Sequence, residues 1–300
     1  MQYHPARIMP TCVPRCSSVD KLILLTTTRK RERRRELEAL INSVEMSRAE
    51  MDGLEVHHYV LIQGVSGGSD AVSDAAMNSS AHLSYTPELV SLSRARNMML
   101  TQIGEASGLC GAVIGFPDDD AWYPSGTLAG IMRCFLEDDL LDTWFCQCGT
   151  NRGPLSAFPG KPPRLQDLYS NATSNTIFVR GCLAKEIGAF DETLGLGTKA
   201  MSAEDSDFAV RAFRSGRGSR FVKAQMVGHR DHGDRDRELY FGGALTVIAR
   251  YAPVLPGGYI ALARKCLVGA ALAITGRLRP QQLMSDFKRA FSVFNFRARS

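Results

Sequence analysis

The stretch Gly111-Ala112-Val113-Ile114-Gly115-Phe116-Pro117-Asp118-Asp119-Asp120 constrains this chain more than any other. Its apolar half has no helical spacing and reads as a strand buried on both faces, the kind found inside a parallel sheet. Pro117 stops the strand, and three consecutive carboxylates follow. Pro124 then stands where a helix would begin, and Thr127, Leu128, Ile131 and Met132 continue at helical spacing. Three acids at the end of a buried strand repel one another and are costly to desolvate. From these residues alone two readings are open. One is a solvated acidic turn; the other is a site where a divalent cation relieves the repulsion, hard oxygen ligands suiting Mg²⁺ or Mn²⁺. Position favours the site, because open α/β sheets bind ligands at the carboxyl ends of their strands.

A chain of 300 residues can bury a sizeable core and accommodates one α/β domain of roughly 200–250 residues with appendages. The net charge of +5 is unevenly placed. Residues 251–300 carry eight Lys or Arg and one acid, Asp286, a balance of +7 that leaves −2 for the rest. The eight cysteines are scattered, and Cys12-x-x-x-Cys16 and Cys146-x-Cys148 lack the paired spacing of a zinc site. Free thiols in a reducing cytoplasm are the expectation. No apolar core of a signal peptide precedes residue 20, and the longest apolar run, residues 259–275, is broken by Arg264-Lys265. Neither a signal peptide nor a membrane span is predicted.

Taken in order, residues 1–20 read as a mobile leader. A strand at 22–28, a helix with Leu37, Leu40, Ile41 and Val44 on one face, and a strand at 56–63 form a βαβ opening, which implies parallel pairing. The arginine cluster from Arg29 to Arg35 opposes the dipole of that helix unless an anion is present, which marks Arg29 as a phosphate contact. Residues 64–87, rich in Gly, Ser, Asn and Ala, read as a long surface loop. Leu92, Ala95, Met99 and Ile103 mark the next helix. Strands are expected at 142–148, 175–180 and 220–227. Ser202-x-x-Asp205 has the form of a capping box opening a helix with Ala209, Ala212 and Phe213 on its apolar side. Residues 245–251 read as a helix, and 257–300 as two more, broken near 276–280. That basic, partly apolar tail admits two arrangements: peripheral contact with an anionic membrane surface, on the inner face of the plasma membrane, or packing on the domain with its basic face outward.

Several of these segments, in this order, resemble the family 2 glycosyltransferases of the GT-A fold. Thr26 and Arg29 match the ends of the family's T-x-N-R opening, with Thr28 in place of Asn. Arg96-Asn97 resembles its A-R-N element, and the acidic turn its DxD region. Ile187-Gly188-Ala189-Phe190-Asp191-Glu192-Thr193-Leu194-Gly195 resembles I-G-x-F-D-E-x-L-G, and Glu204-Asp205-Ser206-Asp207-Phe208 resembles E-D-x-D-[LF]. His229, with His232 second, matches the position of a metal-binding histidine. One departure is clear: Ile62 stands where the family carries an aspartate that contacts the base, leaving the amide of Gln63 beside it.

The resemblance spans residues 21–251 and implies an α/β chain. It consists of a single GT-A domain with a mainly parallel sheet, followed by a helical extension over 252–300. It implies an inverting glycosyltransferase of bacterial surface or exopolysaccharide assembly, with a nucleotide-sugar donor and a glycan or lipid-linked glycan acceptor. Thr26, Arg29, Gln63, Arg96, Asn97, Asp118 and Asp119 would contact the donor. Asp118, Asp120 and His229 would hold Mn²⁺ or Mg²⁺, and Asp205, beside Glu204, would act as catalytic base. Two alternatives stand next to this: a degenerate nucleotide- or sugar-binding scaffold, suggested by Ile62, and a metal-dependent phosphoesterase using the same acids with His229 and His232. No nucleic-acid partner is expected, since the basic run lacks interleaved aromatics.

Overall fold

The computed structural model describes residues 18–29, 34–66, 79–106, 109–150, 160–229 and 236–297. The mobile leader expected at 1–20 lies largely outside these residues, as do His232, Cys12 and Cys16.

The sheet grows from strand β1 (Lys21–Arg29), which pairs in parallel with β2 (Glu55–Gln63) on one side and β4 (Ala112–Gly115) on the other. Because β1 is central and covered on both faces, Leu22, Ile23, Leu24 and Leu25 are all buried and no apolar-polar alternation is visible. Helix α1 (Arg34–Arg48) connects β1 to β2 and buries Leu37, Leu40, Ile41 and Val44 against the sheet. Each such side chain contributes about 1.5–3 kcal/mol when fully removed from water.

The region expected to be a surface loop at 64–87 contains a further strand, β3 (His82–Thr86), parallel to β2 at the edge of the sheet. As an edge strand it is only half-buried, and its His82 and Ser84 carry no apolar signal. Residues 67–78 lie outside the described part.

The chain continues through α2 (Leu92–Ala106), β4, the two-residue β5 (Ala121–Trp122), α3 (Thr127–Glu137), β6 (Leu141–Gly149) and α4 (Leu165–Asn171). A 3-10 turn (Ser174–Thr176) leads into β7 (Phe178–Arg180), followed by α5 (Gly181–Ile187), α6 (Glu204–Ser215) and β8 (Gly218–His229). The strand expected over 175–180 therefore starts only at Phe178. Its first residues bond within a turn: the Thr176 hydroxyl donates to the carbonyls of Asn171 and Thr173, away from any ladder.

The eight strands run in the order β3-β2-β1-β4-β7-β6-β8-β5. β7 is antiparallel to both neighbours and β5 is antiparallel to β8, while the remaining pairs are parallel. The carboxyl ends of β1, β2, β4, β6 and β8 thus meet the amino end of β7 along one edge. Apolar clusters cover both faces, one built with α1 and α3, the other with α2, α5 and α6.

After the one-turn α7 (Asp236–Leu239) come α8 (Phe241–Tyr251), α9 (Gly258–Ile274) and α10 (Pro280–Arg297). Phe241, Leu245 and Ile248 of α8 meet Leu262 of α9, Leu278 in the turn after it, and Ala290 of α10. Gly269 makes this approach possible, since a Cβ there would lie 2.4 Å from the Phe241 ring. Among the described residues no helix is long and apolar enough to cross a membrane. The six described cysteines are free thiols.

Candidate active site at the carboxyl edge of the sheet

The acidic turn leaves β4 at this edge largely buried: Asp119 is 8% and Asp120 4% exposed, while Asp118 keeps 30%. Pairing of β5 with β8 sets Ala121 opposite His229, which brings the Asp120 carboxylate to 3.1 Å from the His229 Nε2. One donor atom each from Asp118, Asp120 and His229 lies within 4.8 Å of the others. Two carboxylates and an imidazole at that spacing suit a divalent ion such as Mn²⁺, which accepts both oxygen and nitrogen ligands. The middle acid has a different neighbour: Asp119 accepts a 2.6 Å hydrogen bond from the hydroxyl of Thr28.

Arg96, on α2, is a buried counter-charge at the site. Its guanidinium is 1% exposed and forks, donating to Asp118 at 2.8 Å and to Glu204 at 3.0 Å. It therefore ties the acidic turn to the opening of α6. Phe190 lies beneath it, 5.4 Å from the guanidinium carbon, and packs with Phe116 and Phe208.

Asp118 is further fixed by two residues that sequence reasoning missed. Asn175 donates to its carboxylate at 3.1 Å and accepts its backbone N–H at 2.6 Å, while the Ser174 hydroxyl donates at 3.3 Å. Both sit in the 3-10 turn that enters β7, and the only hint in the sequence is a polar quartet, Thr173 to Thr176, ahead of an apolar run.

Glu204 and Asp205 open α6, but not through the expected capping box. The N-cap is Ala203, held at φ 74°, and the Ser202 hydroxyl donates instead to the Tyr240 carbonyl at 3.0 Å. Ser202 is thus spent on joining this segment to α8. Asp205 accepts the N–H of Ser206 at 2.7 Å and that of Ser174 at 3.3 Å. Met201 and Ala203 both occupy the left-handed region (φ 59° and 74°), a conformation that costs non-glycine residues about 1–3 kcal/mol and that clusters at functional sites. At Gly195 (φ 94°) a Cβ would come within 3.1 Å of the Glu204 carboxylate, so only glycine fits.

Burial, and then the adjacent Asp205, push Glu204 up to about 7 against the pull of Arg96. Burial likewise raises Asp205, with Asp118 adding to it and Arg96 and the Ser206 N–H opposing. Two acids with raised affinity for protons, one locked to Arg96 and the other half-buried, are an arrangement suited to general-base chemistry by the freer one.

The remaining sequence-derived residues sit around this centre with their side chains largely engaged. Thr26 is buried, its hydroxyl 3.0 Å from the His58 Nε2. Gln63 is 3% exposed, donating to Thr27 and accepting the N–H of Val90, while Ile62 packs with Leu37 and Ile41. Asn97 clamps the 187–195 segment, donating to the Phe190 carbonyl and Glu192 and accepting the Phe190 N–H. Arg29 is exposed at the end of β1.

This sheet order, with an acidic turn after β4 and a second acidic pair facing it, is the GT-A fold. No family model and no curated protein matches the sequence. Solved structures do share the fold. The chain aligns with S. aureus TarS at a TM-score of 0.54 and 19% identity, covering 86% of this chain and 43% of that one. It therefore spans less than half the length of that protein. TarS 1-349 in complex with UDP-GlcNAc aligns at 0.52 and 19%, covering 91% and 73%. The mannosyltransferase PcManGT from Pyrobaculum calidifontis, in complex with GDP-Man and Mn2+, aligns at 0.54 and 17%, covering 93% and 82%.

Proposed function

We propose that this chain is an inverting, metal-dependent glycosyltransferase that moves a sugar from a nucleotide diphosphate sugar to the hydroxyl of a glycan or lipid-linked glycan. The observation that carries the proposal is the Arg96 fork, which holds a candidate metal centre and a proton-accepting acid pair on opposite sides of one edge. The solved structures of the same fold with UDP-GlcNAc and with GDP-Man and Mn2+ support a nucleotide-sugar donor.

Each part then has a task. Asp118, Asp120 and His229 would hold Mn²⁺ or Mg²⁺, which when bound neutralises the diphosphate leaving group as a Lewis acid. Arg29, exposed beside the turn, would contact a phosphate, and Asp119 would line the donor floor. Thr26, Gln63 and Asn97 shape that floor through the bonds they make within the fold. Asp205 takes the proton of the attacking hydroxyl on its carboxylate, whose two oxygens are held in place by the N–H groups of Ser174 (Oδ2) and Ser206 (Oδ1). Glu204, paired to Arg96, stands beside Asp205, and its charged form favours proton uptake there. A base on the face opposite the leaving group gives inversion.

Incubation with a panel of UDP- and GDP-sugars, with and without Mn²⁺ and with simple glycan acceptors, tests the reading. Transfer to an acceptor is expected. Release of sugar to water alone would favour the phosphoesterase-like alternative. Nucleotide binding without turnover would favour a degenerate scaffold, a reading motivated by the buried Ile62 and by the Gln63 amide, which bonds to Thr27 and Val90.

A further inference from the structure

Helix α9 is apolar on both sides. Its inner face, including Leu262 and Gly269, packs against α8 and α10. Its outer face should be polar if it met only water. Instead Ile260, Leu267 and Ile274, spaced two turns apart in one line, are 77%, 71% and 86% exposed. Tyr259 and Val268 flank that line at 62% and 43%. Arg264 is the one charged residue on this face. Contiguous exposed apolar surface of this kind marks an interaction site.

Charge decides among the occupants. The last fifty residues carry +7, and exposed Arg279 stands in the turn that follows the helix, near Arg277, which pairs with Glu238 at 2.6 Å. A second copy seated on α9 would bring two such tails together, and their like charges oppose it. A zwitterionic or neutral apolar partner would leave the excess unanswered. An anionic phospholipid surface answers both features, taking the apolar stripe at the headgroup boundary and the guanidinium groups of Arg264 and Arg279 at the phosphates. The helix is too short and too interrupted to cross the bilayer, so it would lie in the interface plane.

We propose that the outer face of α9 docks this protein on an anionic membrane surface, with α10 and the inner face of α9 serving to hold it to the domain. The inference rests on the tail alone and stands or falls separately from the transferase reading.

The test is sedimentation of the full chain with vesicles of phosphatidylcholine alone and of phosphatidylcholine mixed with phosphatidylserine. Wild type should sediment with the mixed vesicles only, and less so as salt is raised. The variant Leu267→Glu with Ile274→Glu should lose more than about tenfold in vesicle affinity, two buried apolar side chains being replaced by repelled charges. Its thermal midpoint and elution volume should not change, because both side chains are exposed. Equal sedimentation of variant and wild type, or none of either, overturns the proposal. So does a wild-type dimer that the variant splits, which would assign the face to a second copy, or a lowered midpoint, which would assign it to packing within the chain.

Discussion

Replacing Arg96 with Gln should be among the most damaging single changes that leave the core volume nearly intact. The side chain is 1% exposed, and its two bonds, 2.8 and 3.0 Å, end on carboxylates that are 30% and 7% exposed. Removing one partner of a buried ion pair costs about 3–5 kcal/mol, because the other charge stays behind without compensation. Two features place Arg96→Gln at the lower end. Asp118 still reaches water and keeps its bonds to Ser174 and Asn175, and Glu204, already pushed up to about 7, can take a proton. A loss of about 3 kcal/mol corresponds to a fall of roughly 6–12 °C in the thermal midpoint for a domain of this size.

The origin of the loss is testable through its dependence on pH and metal. An acid whose folded pKa lies above its unfolded one binds more protons when folded, so the stability it subtracts grows as pH rises between the two values. Without Arg96 that gap widens, and the deficit relative to wild type should narrow from about pH 8 to about pH 5. Mn²⁺ should raise the midpoint of the variant more than that of wild type, since the ion supplies the missing positive charge. Arg96→Lys, a point charge that reaches only one carboxylate, should fall between the two. Differential scanning calorimetry across pH, with and without Mn²⁺, reads all of this. A deficit below about 1 kcal/mol, or one indifferent to both pH and metal, would refute the electrostatic account.

Three further outcomes are expected. Asp120→Ala should reduce nucleotide diphosphate affinity in Mn²⁺ to its metal-free value with the fold intact, as measured by calorimetric titration; an unchanged metal dependence would remove the turn from the site. Asp205→Asn should leave donor affinity nearly intact while single-turnover transfer falls by roughly 10²–10⁴, the usual worth of a general base; an active variant with a slightly lowered midpoint would make Asp205 a structural acid only. His58, held at about 3 by burial, then by Arg48 and His82, against an ordinary 6.5, contributes stability that is present above 6.5 and lost as pH falls toward 3. Urea unfolding should show a slope of about 1.4 kcal/mol per pH unit in that window, flattened in His58→Gln; identical slopes would count against the account.

The parts of this fold that the sequence states openly are those whose burial is uniform. β1 and β4 are covered on both faces, so their apolar runs read as strands without help, and the acids after Pro117 mark the edge they feed. β3 escaped notice because an edge strand is half exposed and can alternate His82 and Ser84 with ordinary residues. The strand expected over 175–180 overreaches into the turn before β7 because Asn175 and Thr176 are buried polar groups satisfied by local and cross-site bonds, a condition that leaves no periodicity behind. Ser202 looked like a cap because spacing alone cannot tell whether a hydroxyl turns toward its own helix or toward the Tyr240 carbonyl.

Arg96 is the deeper case. Its motif can be read from the sequence, but its task depends on charges 22 and 108 residues away that only the folded sheet brings together. Asp118, Asp119, Asp120, Glu204 and Asp205 place five carboxylates along this edge, and Arg96 joins two of them, Asp118 and Glu204. The hydroxyl, amide and N–H donors of Thr28, Ser174, Asn175 and Ser206 fix where those oxygens point but contribute no net charge. Hydrogen bonds therefore set the geometry of the edge. The closeness of Asp118, Asp120 and His229 is likewise a product of the fold, and the raised proton affinity of the Glu204 and Asp205 pair follows first from burial and then from the neighbouring acids, against the pull of Arg96.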